Sequence, residues 1–377
     1  MRNREFDSSA DTTHRSQLLA VVCGAVVAFS GGCCSPPTPT GPPPSGSVVF
    51  ALDSHIASVV QGKDGSYWFA SRENGLFHYN GTRIVRYTTD DGLAGNHIAG
   101  VQQDPAGNLV VVSGENAFRR FDGARFQPVD VKTDTDATWR LDANDLWFSG
   151  GSNVPGVYRF DGNVVHFLTF PTTKAGDEHY AEVPRDKFPN ARYSPYDVFT
   201  IMKDSRGHLW FGTSLLGVCR YDGTTLAWGP AWNNSFGVRG VVEDKDGKFW
   251  FTATGRRHDV SLKAGPGTPG AAPAPAGAPA VGALVMTTEP GLGSNDPIGA
   301  FVSAHRDKRG DLWFATLGDG VYRYNGTTTT HYPVLDEKGA PVWIYSMYMD
   351  ANEILWVCTQ GAGVHRFNGR AFERFSP

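Results

Sequence analysis

The chain has 377 residues, a formal net charge of −4 and a pI near 6.3. This balance offers none of the basic surface that nucleic-acid binding requires, so we expect no nucleic-acid partner. The 45 glycines and 24 prolines imply many turns, and the 10 Trp, 13 Tyr and 23 Phe can fill a large core. The body shows no convincing apolar stripe with a helical period of about 3.6 residues. Composition therefore favours an all-β protein.

The N-terminus is typical of a bacterial export signal. Arginines precede the apolar run 18–29, which is too short to cross a bilayer as a mature helix. Small residues lie directly before Cys33, a pattern that resembles a lipoprotein signal, with Cys34 as the rival lipidation position. We expect 1–32 to be a signal peptide and Cys33 to carry the lipid; the alternative is an ordinary cleaved signal with incidental cysteines. The protein would then be exported, periplasmic or at the cell surface, and attached to the membrane only through its lipid.

Residues 33–46 have the Pro, Ser and Thr composition of an extended tether. Beyond the tether, the cysteines are Cys219 and Cys358. They lie three repeat units apart, so we expect both to be free and buried. No pair of cysteines has the spacing of a zinc site. We predict neither a metal nor a cofactor.

The rest of the chain repeats one unit. Its anchor is an aromatic residue in an apolar strand, and Val110 fills that place in one unit. Most successive anchors are about 40 residues apart, and two longer gaps contain insertions. The aromatic anchors are Trp68, Trp147, Trp210, Trp250, Trp313 and Trp356.

Each unit contains four strand-like segments. An apolar strand is followed by a turn with Asp and Gly, a second strand with the anchor, a third strand that ends in Asn-Gly or Asp-Gly, and a fourth strand. The Asn-Gly or Asp-Gly pair predicts a type I′ hairpin. We predict an all-β fold, a seven-bladed β-propeller of four-stranded antiparallel blades over 47–377, with the anchors wedged between blades. The unit at 137–170 is the least regular, and 47–52 should add a strand at the closure.

The repeated motif is similar to a known family. Residues 198–223 and 301–326 carry it best, and 56–98 includes a terminal Asp-Gly-Leu-x-x-Asn link. These segments resemble the two-component regulator propeller repeat. The resemblance implies an extracytoplasmic, ligand-binding sensor region, of the kind that often stands in two tandem rings ahead of a membrane span and a kinase. Because this chain has one ring and no kinase, we expect a free-standing member whose partner is a sensor histidine kinase or an envelope protein.

A second propeller family, virginiamycin B lyase, has similar Trp-Phe-Thr strands. It implies a lyase or hydrolase with His and Glu residues and a metal at the channel mouth. The third strand of this chain, for example Gly-Val-Tyr-Arg-Tyr-Asn-Gly at 320–326, fits the regulator repeat better. We therefore expect a binding protein with no catalytic residues, and a propeller enzyme is the alternative.

The repeats help to separate scaffold from site, since a residue type that recurs in most units is best explained by the geometry of the unit. The recurring turn aspartates should cap turns rather than bind calcium. The recurring third-strand arginines should pack their stems between blades and expose their heads. The aspartates are Asp204, Asp244, Asp307 and Asp350, and the arginines are Arg120, Arg159, Arg220, Arg323 and Arg366.

Residues that break the repeat are the candidates for binding. The loops from second to third strands and the links between units should share one face around the central channel, where side chains could meet a small ligand, glycan or peptide. The candidates are His55, His97 and Trp343 before innermost strands; Glu73, Glu115, Arg256, Arg257, His258 and Asp319 in the loops; and His179, Tyr180, Arg192 and Tyr193 in a link. His55 and His97 lack an evident third ligand, so we interpret them as polar rim residues rather than metal ligands.

Two insertions interrupt the repeat. The link 171–196 mixes charged and aromatic residues on the proposed binding face, where we expect a long loop. The stretch 264–283 is rich in Pro, Ala and Gly and lies between a third and a fourth strand. We expect it to be disordered and without chemistry.

Overall fold

A computed structural model describes residues 46–377 apart from 134–137, 185, 192, 231, 233–236, 253, 264–278 and 290–296. The predicted signal peptide, the lipidation site Cys33 and the tether up to residue 45 lie outside the described residues. Within the described part, no helix is both long and apolar enough to span a membrane. Cys219 and Cys358 are free and buried, as expected.

The described residues form six β-sheets, which confirms the all-β prediction. Strands β1–β5 form the first sheet, in which β2 to β5 follow one another antiparallel and β1 pairs with β5 at the outer edge. The strand predicted at 47–52 is thus present over Ser47–Val49, and its partner is β5 of the same sheet rather than a strand of the last sheet. Their bounds are β1 Ser47–Val49, β2 Ile56–Gln61, β3 Tyr67–Ser71, β4 Leu76–Tyr79 and β5 Ile84–Tyr87.

The second sheet is an antiparallel meander that follows a short 3-10 helix at Thr89–Asp91. It consists of β6 Ile98–Gln103, β7 Leu109–Ser113, β8 Ala117–Phe121 and β9 Phe126–Pro128.

The third sheet departs from the predicted antiparallel unit. It contains β10 Val131–Lys132, β11 Leu146–Ser149, β12 Gly156–Phe160 and β13 Val165–Thr169. Strand β10 pairs parallel with β13 at the outer edge, where Val131 lies opposite Val165. Among the described residues, no strand pairs with the inner edge of β11. The described residues of this unit therefore supply no innermost strand to the sheet.

The fourth sheet has eight strands in the order β14-β15-β16-β17-β21-β20-β19-β18. Two antiparallel groups are joined by a parallel pair in which Thr225 of β17 lies opposite Ala280 of β21. The end of the predicted insertion 264–283 is therefore strand, which corrects that part of the prediction; 264–278 lie outside the described residues. The bounds are β14 Val198–Lys203, β15 Leu209–Thr213, β16 Val218–Tyr221, β17 Thr225–Trp228, β18 Val241–Glu243, β19 Phe249–Phe251, β20 Arg257–Leu262 and β21 Ala280–Thr288.

Two further antiparallel meanders complete the chain, after a 3-10 helix at Pro297–Ala300. The fifth sheet consists of β22 Phe301–Arg306, β23 Leu312–Thr316, β24 Val321–Tyr324 and β25 Thr329–Tyr332. The sixth consists of β26 Trp343–Met349, β27 Leu355–Gln360, β28 Val364–Phe367 and β29 Phe372–Arg374.

The link 171–196 contains a helix, where we expected only a loop. Helix α1 spans Lys174–Glu182, and the Thr173 side chain accepts a hydrogen bond from the backbone N–H of Gly176 at 3.1 Å. Such a cap satisfies one of the free N–H groups of the first turn. The helix has no strong apolar stripe, which is why the helical period did not reveal it.

The outer hairpins differ from the predicted type I′. In the β4–β5 hairpin Gly81 has φ +95°, whereas Asn80 is not among the residues with positive φ. Instead, the Asn80 side chain accepts hydrogen bonds from the backbone N–H groups of Thr82 and Arg83, both at 3.1 Å. Gly81 is the first central residue of this turn, and a positive φ at that position alone fits a type II′ turn. The Asn or Asp before the glycine contributes its side-chain oxygen, which accepts the backbone hydrogen bonds of the turn.

The core lies between successive repeat units, and each anchor tryptophan packs against the unit that follows its own. Trp68 of the first sheet packs with Val101 and Val111 of the second. Trp356 of the sixth sheet packs with Ile56 and Val59 of the first, so the last sheet contacts the first. Burying each such side chain contributes about 1.5–3 kcal/mol.

Because strand direction alternates within each sheet, the connections between strands lie on two opposite faces of the protein. The face with the loops from second to third strands and the links between sheets is called the "rim face". The "turn face" is the opposite one, which carries the Asp-containing turns and the outer hairpins.

Candidate functional site

The turn aspartates belong to the scaffold, as predicted. One oxygen of Asp204 accepts hydrogen bonds from the backbone N–H groups of Arg206 and His208, at 3.0 and 2.8 Å. The other accepts from Nε1 of the anchor Trp210 at 2.9 Å. Asp307 and Asp350 bind Trp313 and Trp356 in the same way, at 3.0 Å. These carboxylates join the turn to the anchor and are not arranged to bind an ion.

The third-strand arginines also belong to the scaffold, but two of them do not expose their heads. Arg159 and Arg220 are only 2% and 9% exposed. Arg159 Nε lies 3.6 Å from the carboxylate of Asp145, and both side chains are buried. Burial raises the pKa of Asp145 despite the nearby arginines. The prediction of exposed guanidinium groups was therefore wrong for both: Asp145 is the buried counter-ion of Arg159, and Asp222 lies 3.6 Å from the Arg220 guanidinium.

Arg257, a predicted rim residue, occupies the scaffold arginine position of its own unit. It lies opposite Trp250 in the register, as Arg323 lies opposite Trp313. Its guanidinium pairs with Asp244 at 2.6 Å, with Glu289 at 3.0 Å and with Asp246. Asp244 and Asp246 are turn-face residues, so Arg257 does not belong to the rim.

His258 was also predicted on the rim, and the structure places it in the core. It is 5% exposed, and its Nε2 lies 2.9 Å from Thr254 Oγ1. Burial lowers its pKa, and Arg256 lowers it further. A buried histidine that bonds a threonine side chain is best explained as a packing residue. Of the Arg-Arg-His cluster, only Arg256 is exposed.

His55 and His97 occupy equivalent positions, as predicted. The backbone carbonyls of His55 and His97 accept hydrogen bonds from Arg72 N and Gly114 N, both at 3.0 Å. His55 is half-buried, and its Nδ1 lies 3.0 Å from Ser54 Oγ. Desolvation lowers the pKa of His97, and the Arg72 guanidinium lowers it further. Within the described ranges, no group of three or more His, Cys, Asp or Glu residues could hold a metal.

The rim face carries a polar and aromatic surface where the sixth sheet meets the first. Trp343 is 57% exposed and pairs with Gln360, which also forms a bridge with His55. The Arg72 guanidinium lies 4.3 Å from the centre of the Tyr345 ring, a cation–π contact. We call these five residues the "closure patch".

A pocket adjoins the closure patch and provides room for a small ligand. Its volume is about 350 Å³, and it is lined by Trp343, Gln360 and Gly361 together with Asp336 and Val342. The exposed indole can stack on a flat or apolar group, and the amide, imidazole and guanidinium can bond polar atoms. This set of residues is suited to binding.

The remaining loop candidates do not belong to the closure patch. Glu73 and Glu115 are exposed. Asp319 is exposed but already engaged, because its carboxylate accepts a hydrogen bond from Tyr322 and lies 3.7 Å from His331 Nε2. Asp319 is therefore better explained as a local support of its loop than as a free acid.

The candidates of the link contact their own helix and the following strand. His179 and Tyr180 lie on α1, and the Tyr180 hydroxyl is 2.8 Å from Ser194 Oγ. The Tyr193 ring packs edge-on against Phe199 of β14, with their centres 5.2 Å apart. Arg192 lies outside the described residues.

Sequence reasoning missed three members of the closure patch, namely Arg72, Tyr345 and Gln360. Arg72 and Gln360 lie at the starts of loops from second to third strands, and the comparison across units selected Glu73 rather than its neighbour Arg72. Tyr345 is the bulged residue between Ile344 and Ser346, and the bulge alters the alternation of its strand. Only the contact between the first and last sheets brings the three together.

The comparisons with known proteins agree with the repeat. Residues 193–214 match the family model described as "Two component regulator propeller", and this overlaps the best copy of the motif at 198–223. No curated protein matches the chain significantly.

Several solved structures share the fold. The extracellular domain of a putative one component system from B. thetaiotaomicron is 18% identical, with a TM-score of 0.55, over 87% of this chain and 40% of that chain. The extracellular domain of a putative hybrid two component system from the same organism is 15% identical, with a TM-score of 0.54, over 86% and 41%. Virginiamycin B lyase from Staphylococcus aureus is 14% identical, with a TM-score of 0.56, over 84% and 97%.

This chain covers about two fifths of the length of the two B. thetaiotaomicron proteins. At these identities the likeness establishes the fold and leaves the activity open. The chain carries the two-component regulator propeller repeat within an all-β propeller fold.

Proposed function

We propose that this protein is an extracytoplasmic binding propeller with a sensor-like or accessory role, and that it binds a small ligand, glycan or peptide at the closure patch. The observation that carries the proposal is the exposed Trp343 beside Gln360 and His55, at the mouth of a pocket on the rim face. Its similarity to extracellular domains of bacterial regulators supports the same role.

The proposal extends to the number of blades and to the attachment of the protein to the membrane. We infer seven blades, since the eight-stranded sheet consists of two four-stranded groups and each of the other five sheets would supply one blade. We also propose lipidation at Cys33 and a periplasmic or cell-surface location, with a sensor histidine kinase or an envelope protein as partner. Mass spectrometry of the membrane fraction would detect a lipid on Cys33 and distinguish it from Cys34.

The binding proposal is tested with glycan and peptide arrays on three proteins. Trp343→Ala should lose the binding that the wild type shows, because the exposed indole is the largest apolar surface of the patch. Phe50→Ala is the matched control, since Phe50 is 98% exposed and lies beyond the outer strand β1. Retention of every wild-type interaction by Trp343→Ala would refute the closure patch as the site.

A propeller enzyme is the second candidate, and the observation that favours it is the similarity to virginiamycin B lyase over nearly all of that chain. Metal analysis of the purified protein separates the two. Stoichiometric metal that is lost when His55 and His97 are both replaced by Ala would favour the enzyme over the binding protein.

A further inference from the structure

The first strand and the residue that follows it expose two large apolar side chains. Val48 of β1 is 58% exposed, and Phe50, directly after the strand, is 98% exposed. Val49 between them is only partly exposed and packs against the core between the sixth and first sheets. One residue of this segment therefore serves the fold, and its two neighbours remain in water. We call Val48 and Phe50 the "edge pair".

Three other outermost strands expose polar residues instead of apolar ones. Gln127 of β9, Thr330 of β25 and Glu373 of β29 are all exposed. The geometry of an outermost strand therefore does not require the apolar residues of the edge pair. Adjoining large apolar side chains that the fold leaves in water are typical of an interaction surface.

The edge pair lies directly after the predicted tether. Gly46 N donates a hydrogen bond to Asp91 Oδ1 at 2.9 Å, and β1 pairs with β5, so the chain is fixed to the first sheet from this point onward. Residues 33–46 can extend over at most about 50 Å, which is about the diameter expected of a protein of this size. A lipid on Cys33 would therefore keep β1 close to the membrane.

A second copy of the chain matches the edge pair less well than a lipid surface does. The two side chains expose on the order of 300 Å², whereas a stable interface between proteins buries about 800 Å² on each partner. Strand β1 also has only three residues with which to pair another strand. A lipid surface requires no such area, since apolar side chains such as Phe insert between the headgroups and the acyl chains.

We propose that the edge pair contacts the membrane to which the protein is attached. This inference rests on the proposed lipid at Cys33, which brings the edge pair to the lipid surface. Phe50 enters the boundary between headgroups and acyl chains, and Val48 lies beside it. Because β1 is the outermost strand of the first sheet, this contact leaves the rim face and its closure patch open to a ligand.

Tryptophan fluorescence of the full-length lipidated protein tests the proposal. The protein is placed in phosphatidylcholine vesicles, with or without acyl chains that are brominated close to the headgroup and quench nearby indoles. Phe50→Trp should add an emission at shorter wavelength than in water, and brominated lipid should remove most of it. Because Phe50 is 98% exposed, this substitution leaves the core unchanged. Phe188→Trp is the matched control, since Phe188 is 49% exposed and lies in the link 171–196; its added emission should persist.

Mass spectrometry of the same sample shows whether the lipid is present. A protein without lipid on Cys33 or Cys34 would overturn the lipid attachment and this inference together. In a lipidated sample, equal quenching of Phe50→Trp and Phe188→Trp, or quenching of neither, would overturn this inference alone. Quenching of the wild type that disappears in Trp343→Ala would also overturn it, because the rim face would then lie against the lipid.

Self-association provides one further check. The wild type and Phe50→Ala should sediment alike in detergent solution, since the edge pair contacts lipid rather than protein. A wild-type dimer that dissociates in Phe50→Ala would assign the edge pair to a second copy of the chain and overturn the membrane contact.

Discussion

Glu353 combines a strained backbone, at φ +62°, with a hydrogen bond between sheets. A left-handed conformation costs a non-glycine residue about 1–2 kcal/mol. Its bond to Lys308 N at 2.7 Å offsets this cost, because it joins the turns of the fifth and sixth sheets. The two contributions can be separated by substitution.

We expect Glu353→Ala to destabilise the fold by about 1–2 kcal/mol, since it keeps the strain and loses the bond. Glu353→Gly also loses the bond but relieves the strain, so it should be about 1 kcal/mol more stable than Glu353→Ala. Urea unfolding of the two variants and the wild type measures both differences. Equal stability of the two variants would show that the backbone at this position is not strained.

The sequence predicted the roles of the scaffold residues better than it predicted the residues of the closure patch. The turn aspartates could be assigned because they recur and because Asp caps turns. Arg257 was misassigned to the rim because its loop is shorter, and only the pairing with Trp250 reveals its register. The closure patch depends on contacts between residues such as Arg72 and Tyr345, which are far apart in the chain, and one sequence does not specify such pairs.

At the scale of single elements, the β12–β13 hairpin depends on Asp161. Its carboxylate accepts hydrogen bonds from the backbone N–H groups of Asn163 and Val164, at 3.0 and 2.9 Å, and lies 2.9 Å from His166 Nε2. Burial acts to raise its pKa, but the hydrogen bonds outweigh burial and hold the pKa at about 2. The charged form therefore stabilises the hairpin.

We expect the stability lost in Asp161→Asn to depend on pH. Because the folded-state pKa is depressed, the stabilisation is complete above the unfolded value of about 3.9 and is lost as pH falls through about 2. At neutral pH the loss should be about 2 kcal/mol. Urea unfolding across this range measures it, with the exposed Asp186→Asn as control. A loss that stays constant down to the lowest pH would contradict the role of the charge.

The repeated strand pattern predicted most of the sheets. It did not predict helix α1 or the two parallel strand pairs. Helix α1 has nine residues and depends on the Thr173 cap and on packing rather than on an apolar stripe. The parallel pairs β10–β13 and β17–β21 join segments that no turn connects directly. Such pairs form because the fold brings distant segments side by side. A local sequence pattern does not contain this information.

At the scale of the whole molecule, the contact between the sixth and first sheets uses the same tryptophan packing as a contact between units that follow one another in the chain. Trp356 packs against Ile56 and Phe69, and Trp210 packs against Val241 and Phe251 of the group that follows its own. Both tryptophans are 1% exposed. The Ser346 hydroxyl adds a bond to the backbone oxygen of Ala57 at 2.7 Å.

Trp356→Ala and Trp210→Ala should therefore cost the same free energy of unfolding, about 3–5 kcal/mol, within about 1 kcal/mol of each other. Chemical unfolding followed by tryptophan fluorescence and circular dichroism gives both values. A much smaller cost for Trp356→Ala would mean that the first and last sheets separate readily in solution.

The parallel pair β17–β21 has a consequence for solubility. The outermost strand of a sheet leaves one row of backbone N–H and C=O groups without a strand partner, and such a row can recruit a strand from another molecule. In the eight-stranded sheet, two outer strands cover each other from Thr225 to Trp228. This protein thus closes two of its potential aggregation edges with its own backbone, beside a stretch rich in proline, which cannot extend a sheet.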